Sequence, residues 1–247
     1  MAQIVLHQVS KSYGAEPVLR GIDLTFADDV TTAVVGPSGS GKSTLVQLIN
    51  GLVRPDRGTV AVFGKPIDYT RLVDLRRQIG YAVQGTSLFP HLRVRDNITL
   101  LARLSGWAAD RVQARAQELM RLVDLPAAFA DRYPHELSGG QQQRVGLCRA
   151  MMLKPRILLL DEPFGSLDPI TRKEIHEEFL RLRQSEPCTV VLVTHDLAEA
   201  LRLGQRLVVL HHGVVEQEGE PEEISRKPAT AFVRTFFESQ LSAEAVP

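Results

Sequence analysis

The run Gly36-Pro37-Ser38-Gly39-Ser40-Gly41-Lys42-Ser43-Thr44 interleaves glycines with hydroxyls and carries one lysine. Glycines let successive backbone N–H groups close around an anion without side-chain obstruction. The run follows the apolar stretch Thr31 to Val35 and leads into Leu45-Val46-Gln47-Leu48-Ile49, a strand before and a helix after, which is the context a phosphate loop requires. The helix N-terminus adds positive potential. Lys42 is placed to contact β- and γ-phosphates, and the Ser43 hydroxyl to meet Mg²⁺, a hard cation that reaches nucleotide sites together with phosphate oxygens. A nucleoside triphosphate is the ligand implied.

A second group of reactive side chains ends the apolar run Ile157-Leu158-Leu159-Leu160 with Asp161-Glu162-Pro163. Carboxylates at the end of a buried strand are costly unless something neutralises them. Asp161 is placed to hold Mg²⁺ through its water shell, and Glu162, facing another way, to polarise an attacking water. A strand followed by a plain acidic turn is the simpler reading, and the phosphate loop earlier in the chain weighs against it. Between the two groups stands Leu137-Ser138-Gly139-Gly140-Gln141, followed by Gln142-Gln143-Arg144. Taken alone, a Ser-Gly-Gly opening a helix is an anion site and nothing more specific.

The elements that must carry these groups follow from the hydrophobic pattern. Ile4 to Val9 and Val18 to Phe26 read as strands with Tyr13-Gly14 in the loop between them and Gly21 at a bulge or turn, an N-terminal β layer. Thr31 to Val35, Ile79 to Val83, Ile157 to Leu160 and Cys188 to Thr194 are short apolar runs of the kind that suits a parallel sheet buried on both faces. From about Arg93 to Arg132 strands give way to Leu, Ala and Arg at helical spacing, including Asp110 to Leu125. A helix over Leu197 to Leu203, a hairpin from Arg206 to Gln217 turning at His211-His212-Gly213, and an amphipathic tail around Phe232, Phe236 and Phe237 complete the chain. The expected fold class is α/β: a P-loop NTPase (RecA-like) core with a mainly parallel sheet, an N-terminal antiparallel β subdomain and an inserted α-helical subdomain. Residues 1–240 form a single domain in this reading, with 1–92 and 155–240 as β subdomain and core, 93–154 as the helical part, and 241–247 frayed.

Composition narrows the function. Among 247 residues Lys plus Arg and Asp plus Glu number 29 each, so no global positive field draws the molecule to nucleic acid or anionic lipid. The longest apolar runs are four residues, as in Val190 to Val193, against about 20 for a membrane-crossing helix. The N-terminus lacks a secretory signal pattern, and residence in the cytosol is the expectation. Cys148 and Cys188 have no ligand spacing and read as reduced core residues.

In its place between the other two motifs, Leu137 to Gln141 resembles the signature sequence of ATP-binding cassette (ABC) ATPases, and the resemblance covers the chain from Ile4 to about Phe237. It implies further roles. Tyr13 resembles the aromatic that stacks on adenine, a surface tyrosine in a turn being the alternative. Gln84 looks like the glutamine that meets Mg²⁺ and the γ-phosphate side and senses the membrane partner, although Gly85 after it departs from the polar residue expected. Ser166-Leu167-Asp168 resembles the D-loop, and His195, thirty-three residues after Glu162, the switch histidine. The family pattern further implies two copies head to tail, so that Gly36, Ser38, Gly39, Gly41, Lys42, Ser43 and Thr44 of one and Ser138, Gly139, Gly140 and Gln141 of the other enclose each ATP, with Asp168 of the D-loop also at the nucleotide site. Leu88-Phe89-Pro90-His91-Leu92, beside Gln84, is either a contact for transmembrane permease subunits or core packing.

Within the family the chain is similar to importer ATPases of the glycine betaine, choline and osmoprotectant group, on Ile79 to Gln84 with Leu88 to His91, Ala198 to Gly204, and Pro228-Ala229 leading to Arg234. Longer members carry a C-terminal module of paired repeats; the sequence stops soon after Phe237, so gating through such a module is not expected. The resemblance thus implies peripheral attachment at the cytoplasmic face of the cell membrane, a solute-binding protein outside it, and no nucleic-acid partner. Uptake of polar amino acids or another organic solute, and a soluble ABC ATPase that drives no transport, are the alternatives.

Overall fold

The computed structural model describes residues 2–83, 85, 87–165 and 167–244. In chain order the elements are β1 (Ala2–Tyr13), β2 (Glu16–Ala27), β3 (Thr31–Val35), α1 (Lys42–Ile49), β4 (Arg57–Val62), β5 (Lys65–Pro66), α2 (Leu72–Arg76) and β6 (Ile79–Ala82). There follow α3 (Val94–Leu104), α4 (Ala109–Leu122), α5 (Gly139–Met151), β7 (Ile157–Asp161) and α6 (Pro169–Ser185). The last are β8 (Thr189–Thr194), α7 (Leu197–Leu203), β9 (Arg206–His211), β10 (Val214–Gly219), α8 (Pro221–Arg226) and α9 (Ala231–Glu244). They fall into two compact units, one of Met1–Leu75 with Thr189–Pro247 and one of Arg76–Cys188.

The first unit holds an antiparallel sheet in the order β2-β1-β4-β5 and the strands β10-β9-β3-β8 of a second sheet. Every residue of β3 and β8 is buried, which explains their uninterrupted Val, Leu and Thr: both faces of a parallel strand are covered. β3 runs parallel to β8 and to β9. β9 and β10 form the expected hairpin, turning at His212 (φ 47°) and Gly213 (φ 78°). The positive φ at both positions is what a two-residue hairpin turn with the right twist demands. The His211 ring lies flat on Phe232 of α9, centroids 3.6 Å apart and planes 2° from parallel.

The second unit holds the parallel pair β6 and β7, the helices α3 to α5 of the insertion, and α6. Its core includes Ile98, Leu119, Val145, Leu147, Phe164 and Phe179, all fully buried. The α/β class, the antiparallel N-terminal layer and the mainly parallel second sheet are as the sequence predicts.

One local expectation changes, and two local features add to the sequence reading. Tyr13 is the last residue of β1, paired with Glu16 across a tight turn, because β1 and β2 continue their ladder four residues beyond Val9 with Gly21 (φ 64°) relieving the register shift. A hairpin of β4 and β5, turning at Phe63 (φ 56°) and Gly64 (φ 75°), joins the first sheet. The last helix runs to Glu244, into the stretch expected to fray, while 245–247 lie outside the described residues.

Candidate nucleotide-binding and catalytic site

The first unit brings two of the expected groups to one sheet edge. In the parallel register Val35 faces Thr194, so the residues that follow, Gly36 and His195, leave neighbouring strands side by side at their C-terminal ends, where open parallel sheets bind ligands. From Gly36 the chain turns through Pro37, Ser38 and Gly39, with the Ser40 amide donating to the Pro37 carbonyl at 3.2 Å, and enters α1 at Gly41. Two of the glycines are required for space as well as for donors. A Cβ at Gly36 would sit 1.9 Å from the Leu210 carbonyl oxygen, and Gly41 (φ 103°) lies against Val18 and Leu19 of β2.

Lys42 is buried, and its Nζ donates to the carbonyls of Gly36 and Pro37, each at 2.9 Å. The ammonium is thereby held across the loop it serves. Ser43 is exposed and Thr44 buried in the first turn of α1. His195 is exposed on a corner made rigid by polar contacts on either side. The Asp196 side chain caps α7 by accepting from the Glu199 amide at 3.1 Å, and the Thr194 hydroxyl donates to Glu199 at 2.9 Å while accepting from the Asp196 amide at 3.0 Å. Tyr13 is half exposed, with the Lys11 ammonium 5.7 Å from its ring centre.

The second unit carries the acids and the Ser-Gly-Gly helix. Asp161 closes β7 and is buried. Glu162 is half-buried with φ 47°, a left-handed conformation uncommon outside glycine and asparagine. Ser138 caps α5: its side chain accepts from the Gln141 amide at 3.3 Å, and the Gln141 side chain accepts from the Ser138 amide at 3.0 Å. This reciprocal cap leaves the amides of Gly139 and Gly140 at the helix N-terminus, the arrangement that receives anions. Asp168 caps α6 through the amides of Ile170 and Thr171 at 3.1 and 3.0 Å. The Thr171 hydroxyl and then these amides hold its carboxyl below the usual range. Gln84 and Ser166 lie outside the described residues.

The protein-family profile described as ABC transporter matches residues 19–165. The chain belongs to the ABC transporter family. It is 46% identical over 232 residues, 94% of its own length, to the glycine betaine/carnitine/choline transport ATP-binding protein OpuCA of Bacillus subtilis. It is 45% identical to the glycine betaine uptake system ATP-binding protein YehX of Escherichia coli, covering 95% of this chain and 76% of that one. A sulfate/thiosulfate import ATP-binding protein of Synechococcus elongatus is also 45% identical, over 94% of this chain and 67% of its own. The chain spans 61% of the length of OpuCA. Among solved structures, the dimeric bacterial ABC transporter cassette MJ0796 superposes with a TM-score of 0.80 at 35% identity, covering 88% of this chain and 98% of that one.

Against that family background, three side chains escaped the sequence reading. The Tyr81 hydroxyl on β6 hydrogen-bonds to the Asp161 side chain, and burial, together with the Asp161 charge and that bond, pushes the phenol up to about 12. Asn97 is fully buried on α3. It ties down the stretch after Gln84, its Oδ1 accepting from the Phe89 amide at 2.8 Å and its Nδ2 donating to the carbonyls of Phe89, Leu92 and Arg93 at 3.0 to 3.2 Å. Arg149 of α5 adds a bond to the Ser87 carbonyl at 2.8 Å. The available signal was a lone Asn within the apolar stripe Val94, Ile98, Ala102, since a polar residue on a buried face must have partners. The stretch so fixed presents Phe89, 42% exposed, outward.

Proposed function

We propose that this chain is the ATP-binding and ATP-hydrolysing subunit of an importer for a small organic solute of the glycine betaine and choline type. It acts as two copies beneath membrane-spanning permease subunits, at the cytoplasmic face of the cell membrane, with an extracytoplasmic solute-binding protein delivering the cargo. The observation that carries this reading is the phosphate loop, whose Gly36 and Gly41 leave no room for a side chain and whose lysine spans it, in a chain that itself supplies a capped Ser-Gly-Gly helix for a second copy.

ATP lies along the amides of Gly36 to Thr44, with Lys42 exchanging its two carbonyl partners for β- and γ-phosphate oxygens and Tyr13 stacking on the adenine. Ser43, Asp161 and Gln84 supply the oxygen donors a hard cation prefers, and no group of three His, Cys, Asp or Glu among the described residues offers a separate metal site. Mg²⁺ held there neutralises phosphate charge. Glu162 accepts a proton as water oxygen bonds to the γ-phosphorus and the bond to the ADP oxygen breaks; the proton then passes to the phosphate released. His195 contacts the γ-phosphate and orients the water. Ser138 to Gln141 and Asp168 of the second copy close the site from the other side, so ATP joins two copies and hydrolysis releases them.

The relatives support the cargo class, and a sulfate/thiosulfate import relative at similar identity supports a reading in which the cargo is chosen by other subunits and not by the cassette. No helix among the described residues is long and apolar enough to cross a membrane. Exposed Phe89 on a stretch fixed by Asn97 and Arg149 gives permease subunits a rigid apolar contact.

Two assays test the reading. Glu162→Gln is expected to bind ATP normally, to lose on the order of 100-fold or more in turnover and to accumulate as an ATP-bound dimer, whereas Lys42→Ala weakens ATP binding itself. Turnover at the parental rate in the Glu162 variant overturns the assignment of the base. Gentle extraction of native membranes with tagged chain should recover a polytopic permease, and cells lacking the chain should lose glycine betaine or choline uptake; recovery of soluble partners alone removes the transport reading.

A further inference from the structure

The Ser-Gly-Gly helix α5 is fastened to α6 at two levels, both within the second unit. At the upper level Gly140 touches the first turn of α6 so closely that a Cβ there would lie 2.5 Å from Thr171 Cγ2. At the lower level, one helical turn along α5, Arg144 meets Glu178 in a forked pair: Nε to Oε2 at 2.8 Å and Nη2 to Oε1 at 2.6 Å, with Glu174 a further 3.7 Å contact. Glu178 is 3% exposed. Burial pushes its carboxyl up and the Arg144 hydrogen bonds pull it down, with burial prevailing. A pair of this kind is weak evidence for stability, because desolvation offsets the attraction, but its planar fork fixes geometry tightly.

The same α6 begins at one further residue of the proposed site and packs beside the strand end that carries another. Its N-cap is Asp168, and its inner face receives Phe164, two residues after Glu162, in edge-to-face contact with His176 (4.9 Å) and Phe179 (6.3 Å). One contact near the N-termini would let α5 pivot. Two contacts, separated along both helices, set the direction in which Ser138 and the amides of Gly139 and Gly140 point.

We infer that Arg144 and Glu178 are positioning residues for hydrolysis, a clamp that makes the Ser-Gly-Gly end of α5 and the Asp168 end of α6 move as one piece when they close on the ATP held by a second copy. The inference rests on the proposed ATPase function. It separates two properties of the chain: ATP capture by the phosphate loop does not use the clamp, and closure of one copy on another does.

The test is Glu178→Gln, which keeps shape and one acceptor but turns the other oxygen into an amide whose donors face those of Arg144. Arg144→Lys, which keeps the charge and loses the fork, is the second variant. ATP binding to isolated monomer, thermal melting, ATPase kcat and KM, and ATP-dependent dimer formation in the Glu162→Gln background are each compared with the parent. The expected result is unchanged monomer affinity and KM with kcat lower by about tenfold or more and dimer affinity reduced in proportion, since small misplacement of reacting groups is costly. Arg144→Lys should fall between parent and Glu178→Gln.

Parental kcat and dimer affinity in Glu178→Gln overturn the clamp and leave the ATPase reading intact. So does a loss of kcat that follows melting alone and disappears on cooling the assay well below the transition. A parental chain that neither binds nor splits ATP removes the ATPase reading first, and the clamp with it.

Discussion

At Glu162 the backbone takes φ 47°, where a Cβ crowds the neighbouring carbonyl at a cost of about 1–2 kcal/mol. Glycine accepts that conformation freely. Glu162→Gly is therefore expected to raise stability by about 0.5–1 kcal/mol, a few degrees in melting temperature, while abolishing turnover; calorimetry beside an ATPase assay checks both. Tyr81 makes a second prediction at this scale. Burial, with the Asp161 charge and hydrogen bond beside it, pushes its phenol from 10.0 up to about 12. A folded value above the unfolded one means that the contribution to stability is intact below pH 10 and is lost as pH rises toward 12. Absorbance titration at 295 nm should show a late tyrosinate step near pH 12 that Tyr81→Phe removes. Lys42 and Ser138, both singled out in the sequence, have their hydrogen-bond partners close along the chain, in Gly36, Pro37 and Gln141. Tyr81, Asn97 and Arg144 act through partners brought together by folding, and only the apolar setting of Asn97 gave a sign of it.

Elements divide along the same line. β3 and β8 were legible because every position is buried and apolar or small, and α7 because Asp196 marks its start. The β4–β5 hairpin was not, since β4 opens with the exposed residues Arg57, Gly58 and Thr59 and offers too short an apolar alternation to read. α6 escaped because Ile175, Phe179 and Leu182 are buried among charged neighbours. Its packing against α5 is tight enough to measure. Gly140→Ala forces a methyl toward Thr171 Cγ2 at 2.5 Å and should destabilise the chain by about 1–3 kcal/mol. Thr171→Ser in the same chain removes that methyl, keeps the hydroxyl that Asp168 uses, and should restore most of the loss in chemical denaturation. Failure to restore it would place the strain elsewhere than in the α5–α6 contact.

For the molecule as a whole, a formal net charge of zero at pH 7 leaves little repulsion between copies. The same neutrality suits a protein whose proposed cycle depends on two identical copies approaching one another. The flat stacking of His211 on Phe232 joins the β9–β10 hairpin to the C-terminal helix, and it has a magnetic consequence. Imidazole protons held over the face of a phenyl ring resonate upfield of their usual place, so in a proton spectrum the His211 ring signal reports, without any label, whether α9 is seated on the hairpin. Followed through ATP addition and turnover, that one resonance would tell whether the end of the chain stays docked or lifts away during the cycle.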